Sequence, residues 1–161
     1  MQPRKAQRMK TQEYIFILWG DYFEEKAVAV FVTELRNIGL CVKVVGLAGQ
    51  RSTGKYGLTL YADLTLGDAL PLAHQAICVI APCSLASMKR FENDPRIREL
   101  FQQANNHHAQ FIISEIDVVE KSSLQQLAIP MDVITLYADQ ADLTLFARNT
   151  ATALANLVAN L

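Results

Sequence analysis

The amino-acid sequence predicts an α/β protein with a mostly parallel, three-layer sheet, and three observations carry that reading. Residues 14 to 49, YIFILWGDYFEEKAVAVFVTELRNIGLCVKVVGLAG, run strand, loop, helix, strand, which is a βαβ unit. Short apolar runs then alternate with helical patterns along almost the whole chain. Between them a glycine-punctuated stretch with alternating residues inserts a small hairpin or edge strand.

Taken in order, the first strand is the β-rich run Tyr14 to Trp19, which enters a polar turn at Gly20 and Asp21. A helix is expected from about Glu24 to Ile38, because Val28, Phe31, Val32 and Leu35 recur at spacings of three and four and form a buried stripe. Gly39 supplies its stop, and Cys41 to Val45 is the second strand. In parallel sheets ligands bind where strands end and helices begin, so Trp19, Asp21 and Tyr22 stand where a site would be. Further on, Gly49, Gly54 and Gly57 precede Leu58, Leu60 and Ala62 alternating with Thr59 and Tyr61, the hairpin pattern. These glycines and Lys55 lack the P-loop order, so they read as turn chemistry and not as a phosphate cradle.

Ala76 to Ile80 is the third apolar run, broken by APCS at Ala81 to Ser84, a turn that brings Cys83 to the strand end. A two-part helix follows, Leu85 to Phe91 and Pro95 to Asn105, with Asp94 as cap and Pro95 at the first helical position. The fourth strand, Gln110 to Ser114, delivers Ser114, Glu115 and Asp117 to the same edge. Ser122 to Leu127 is a helical segment. Pro130 precedes a last strand, Asp132 to Tyr137, and the final helix spans Asp142 to Val158 with Leu145, Leu154 and Leu157 in its stripe.

A length of 161 residues suits one domain able to bury roughly two-thirds of its unfolded surface. Net charge of −1 with mixed signs argues against nucleic acid, and no apolar run approaches the ~20 residues of a membrane helix. Three cysteines, with Cys41 and Cys78 inside apolar runs, suit a reducing cytoplasm. Arg4, Lys5, Arg8 and Lys10 make residues 1–12 a flexible basic tail, with Met9 as an alternative start, and residues 13–161 the domain.

Four stretches, in order, resemble the ThiJ/PfpI superfamily: DYFEE at Asp21 to Glu25, GKYGLTLYADLTL at Gly54 to Leu66, DPRIREL at Asp94 to Leu100, and VITLYADQADLTLF at Val133 to Phe146. The resemblance spans nearly the full chain. It implies a flavodoxin-like three-layer sandwich, and a relationship to intracellular protease-like proteins, chaperones and the Parkinson's-associated deglycase. Active members of that superfamily place a Glu in the first helix beside a catalytic Cys. Here Ala27 occupies the Glu position, and IISEI at Ile112 to Ile116 puts either Ser114 or Glu115 at the Cys position. The family's P-G-G oxyanion turn is replaced by Pro82, Cys83 and Ser84, and proline has no amide hydrogen to offer. His74, His107 and His108 match no family position, and the closing-loop Arg and Pro are absent.

The residues therefore point first to a non-catalytic binding, regulatory or scaffolding protein, self-associating as a homodimer, with a small metabolite or a protein as partner. The resemblance suggests pairing through the first helix, where Val28, Phe31 and Val32 are the candidate face. The alternative is an altered hydrolase or glyoxalase/deglycase-like enzyme that uses Cys83 or Ser114 with an acidic partner such as Asp21 or Glu115. In that version the turn leading into a helix lowers the Cys83 pKa, whereas the ordinary reading, which the residues favour, makes Cys83 a small residue filling a turn. Pocket candidates are Trp19, Asp21, Tyr22, Ala27, Pro82, Cys83, Ser84 and Asp139. Asp21, Glu115, Asp117 and Asp139 are the carboxylates that a Mg²⁺ site would need, although capping or solvated roles are the ordinary ones, and no metal or cofactor is expected. Asp21 and Glu24 are candidate caps for the first helix.

Overall fold

A computed structural model describes residues 11–161; the expected basic tail, with Arg4, Lys5, Arg8, Met9 and Lys10, lies outside them but for Thr11 and Gln12. The chain runs β1 (Tyr14–Trp19), α1 (Glu25–Asn37), β2 (Val42–Gly46), β3 (Arg51–Thr53), β4 (Thr59–Tyr61), β5 (Leu64–Thr65) and the short α2 (Leu66–Ala69), which continues as a 3-10 helix, Leu70–Gln75. It goes on through β6 (Ala76–Ala81), α3 (Leu85–Lys89), α4 (Pro95–Asn106), β7 (Gln110–Ile113), α5 (Asp117–Glu120) and β8 (Ile134–Leu136) to α6 (Leu143–Ala159). The segment Leu66 to Gln75 has no helical period in sequence, since Thr65 starts it by accepting the Asp68 amide and Pro71 tightens its second half.

Six strands form one parallel sheet in the order β5-β2-β1-β6-β7-β8. β1 and β6 lie at its centre, covered on both faces, and their near-continuous apolar sequences follow from that. β3 and β4 pair antiparallel as a separate hairpin, while β5 adds the edge strand. The sequence reading of a hairpin or an edge strand thus corresponds to both.

Gly39 ends α1 at φ 85, its amide bonded to the Arg36 carbonyl while Leu40 reaches back to Leu35. Asp94 accepts the Arg96 amide at 3.0 Å with Pro95 at the first helical position of α4, the start expected from sequence. Val28 and Phe31 are buried within the chain against the sheet and α6, as the stripe predicts, and Val32 is half-buried; of the two readings of these residues, core contact is the one the burial of Val28 and Phe31 fits. Two expectations are corrected. On α6 the buried positions are Ala147, Ala151 and Leu154, whereas Leu145 and Leu157 are 53% and 41% exposed. Small residues win that face because α1 packs closely on it, with the Phe31 and Phe146 rings edge to face at 6.1 Å. Finally, neither Asp21 nor Glu24 caps α1: Glu24 makes no capping bond, and Asp21 accepts the Thr53 amide at 3.0 Å, pinning the hairpin to the β1 loop.

Candidate functional site

From β1 the chain crosses to β2 on one side, and later to β6 on the other. The topological switch point therefore lies between β1 and β6, where open α/β sheets form a crevice beyond their carboxyl ends. The two loops that border it are Gly20–Glu24 and Pro82–Ser84. Gly20 sits where a Cβ would lie 2.8 Å from the Phe91 ring, so glycine leaves room for that ring to pack edge to face on Phe23, which in turn packs on Trp19. The Glu24 amide donates to the Pro82 carbonyl at 2.9 Å and ties the loops together. From the next strand, Ser114 Oγ donates to the Cys83 carbonyl at 2.5 Å, and the Ser114 carbonyl accepts from Ala138 at 3.2 Å. Four strand ends are thus laced into one rim.

Glu24 is the carboxylate of this rim. It is half-buried and accepts a hydrogen bond from the Tyr137 hydroxyl. Burial raises its pKa above the ordinary value, the nearby charge of Lys55 opposes the shift, and Glu115 adds to it. Cys83 is fully buried, and its thiol is pushed far up, first by burial and then by the negative charge of Glu24. Cys83 thus fits the role of a small residue filling the turn and not that of an activated thiol, because a thiolate would have to form without water and facing a carboxylate.

An open cleft of about 270 Å³ lies over the switch point, lined by Tyr22, Glu24, Lys55, Ser84, Ser87 and Arg90. The Arg90 guanidinium stacks 4.2 Å from the Tyr22 ring centroid. Tyr22 itself holds φ 67, a left-handed conformation uncommon for an aromatic residue. Ser84 starts α3 by accepting the Ser87 amide at 3.2 Å.

Of the sequence-predicted residues, the structure brings together Tyr22, Pro82, Cys83, Ser84 and Ser114. Trp19 is not a ligand-stacking residue: it is wholly buried, and its indole N–H donates to the Ser52 carbonyl at 3.2 Å. Asp21 serves the hairpin, as described above. Ala27 is buried at the edge of a second, smaller cleft of about 210 Å³ beside Glu24 and Tyr137. Glu115 and Asp139 are exposed, and Asp117 pairs with Lys121 at 3.3 Å. Among the described residues no group of three or more His, Cys, Asp or Glu is placed to hold a metal ion. His107 pairs with Glu13 at 3.1 Å.

Sequence reasoning missed Glu24, Glu25, Arg90 and Tyr137 as site residues, and it set Lys55 aside as turn chemistry. The signal for the first two was DYFEE itself, whose paired acids flank the strand-to-helix corner and diverge. Glu24 turns to the crevice. Glu25, buried, accepts the Tyr56 and Leu58 amides at 2.8 and 3.1 Å, filling the glycine turn with a carboxylate of the chain's own. Burial works to raise the Glu25 pKa, but the backbone amides of Glu25, Leu58, Tyr56 and Lys55 outweigh it and hold it low. Gly54 is required there, since a Cβ would fall 2.4 Å from the Glu25 carboxyl carbon.

No protein-family model matches the sequence, and no curated protein matches it. Solved structures do. A mutant of a DJ-1 superfamily protein from Salmonella typhimurium is similar over 90% of this chain and 91% of its own, with a TM-score of 0.63 at 16% identity. Oxidized Toxoplasma gondii DJ-1 is similar over 91% and 98%, with a TM-score of 0.67 at 12% identity. The putative protease I from Bacteroides thetaiotaomicron gives 0.56 at 11% identity over 63% and 62%. The fold is that of the DJ-1/ThiJ/PfpI proteins.

Proposed function

We propose that this chain is a non-catalytic binding protein on a DJ-1/PfpI-like fold, acting in the cytoplasm as a homodimer and taking its ligand at the switch-point cleft. The observation that carries the reading is the state of the two candidate nucleophiles. Cys83 is buried, with burial and the Glu24 charge pushing its thiol pKa up, and the Ser114 hydroxyl donates to the Cys83 carbonyl with no histidine base bonded to it. Purified protein should not turn over methylglyoxal or its adducts above a Cys83→Ala control. Turnover that depends on Cys83 would reject the reading.

Self-association is supported by the hairpin, where Tyr56, Leu58 and Tyr61 are 83%, 54% and 72% exposed. Tyr61→Lys should shift sedimentation from dimer to monomer; a wild-type monomer at high micromolar concentration rejects the pairing.

The alternative is an altered hydrolase or glyoxalase-like enzyme, in which Glu24 would be the carboxylate near Cys83 that Ala27 does not supply; its negative charge and the burial of the thiol both work against a thiolate there. That version needs Cys83 to react with an electrophile at neutral pH. It is abandoned if the native thiol ignores such a probe and Ser114→Ala leaves any turnover intact.

A further inference from the structure

We infer that the switch-point cleft recognises a small molecule by an oxyanion group, a carboxylate or phosphate, held between Lys55 and Arg90. The inference rests on the binding reading above and names the chemistry of its ligand. Lys55 and Arg90 line the cleft, yet neither is in an ion pair among the described residues; the pairs that form are Arg36–Asp63, Arg96–Asp94, His107–Glu13, Lys121–Asp117 and Arg148–Glu34. Residues 1–10 contain no Asp or Glu that could serve them.

Arg90 is also aimed. Its guanidinium stacks on Tyr22, whose left-handed backbone is anchored by its amide to the Thr53 carbonyl at 3.0 Å. The Arg90 Cζ lies over the Tyr22 ring, and among the described residues its guanidinium donates to no acceptor, so its N–H donors are free to take an oxyanion by two parallel bonds. Ser84 Oγ donates to Ser87 Oγ at 3.2 Å, so the Ser87 hydroxyl keeps a proton to give. Glu24 lines the same cleft with the opposite sign, bound to Tyr137 and within the electrostatic reach of Lys55. Among the lining residues two cations face one carboxylate, and the further carboxylates Glu115 and Glu25 lie on the Glu24 side, Glu25 bonded to the turn amides. The oxyanion then belongs on the Arg90 side, with the neutral body of the ligand toward Glu24. A volume of about 270 Å³ limits that body to a small molecule.

The test is titration of the full chain at pH 7 and constant ionic strength, by calorimetry and backbone-amide chemical shifts, with inorganic phosphate, benzoate and neutral benzamide in separate arms. Saturable binding of phosphate or benzoate but not benzamide is expected, and the arm that binds tells phosphate from carboxylate. Arg90→Gln and Lys55→Gln should each weaken it by about tenfold or more, and Lys89→Gln, outside the cleft, should leave it unchanged. No saturable oxyanion binding, equal loss in Lys89→Gln, or benzamide binding as well as benzoate overturns the inference. Turnover of methylglyoxal with oxyanion binding intact would reject the non-catalytic reading alone. Absent turnover with absent binding would reject this one alone.

Discussion

Ser114 and Cys83, on adjacent strand ends 31 positions apart in sequence, are joined by a hydrogen bond from the Ser114 hydroxyl to the Cys83 carbonyl at 2.5 Å. Both residues are buried, so the bond is a structural tie between the ends of β7 and β6. Ser114→Ala should lower stability by about 1–3 kcal/mol, because the carbonyl loses a partner away from water. Urea denaturation measures it. A neutral substitution would mean that the bond does not hold the rim.

The three thiols should separate by burial. Cys41 is partly exposed, whereas Cys78 and Cys83 are buried, the former with its thiol pushed up to about 12 by burial. A disulfide reagent at pH 7.5 should label Cys41 first and reach the other two only on unfolding. Fast native labelling of Cys83, seen as a loss of signal in Cys83→Ala, would contradict the geometry.

Glu25 makes stability depend on acid in a defined sense. Its folded pKa lies below the unfolded value of 4.5, so its contribution is fully present above that value and is lost as pH falls through the folded pKa. Denaturation midpoints followed from pH 6 downward should fall more steeply for wild type than for Glu25→Gln. Parallel curves would show that the turn amides do not select the charged form.

Glu24 has the opposite sign. Its folded pKa is raised, so wild-type stability diminishes as pH rises from 4.5 through the folded pKa. The stability difference between Glu24→Gln and wild type should therefore shift in favour of the variant across that window. Thermal unfolding at pH 4 and pH 8 checks the direction, and a shift toward wild type would refute it.

The inner face of α6 can be tested by a contrast between two leucines. Leu154, 4% exposed, should cost about 2–5 kcal/mol on truncation to Ala, and Leu157, 41% exposed, considerably less. Equal losses would restore the stripe expected from sequence.

Much of the fold was legible because the signals are local. β1 and β6 read as apolar without interruption since both faces are covered, Gly39 and the Asp94–Pro95 pair mark helix ends by their own backbone requirements, and the glycines of the hairpin mark its turns. Leu145 and Leu157 misled because helical spacing alone does not say which of two apolar arcs meets the neighbouring helix; the close approach of α1 selects the alanines.

The site is a different matter. The residues alone place Trp19 to Tyr22 and the Cys83 turn at strand ends, because the alternation of strands and helices demands a parallel sheet; that β1 and β6 are neighbours comes from the sheet order. Only the tertiary structure decided which groups face the crevice there. Trp19 went into the core, Cys83 below the surface, Glu25 into the hairpin turn and Glu24 to Tyr137, a partner 113 positions away. Those outcomes depend on what a distant segment places opposite each side chain, and burial and charge at that point set its chemistry.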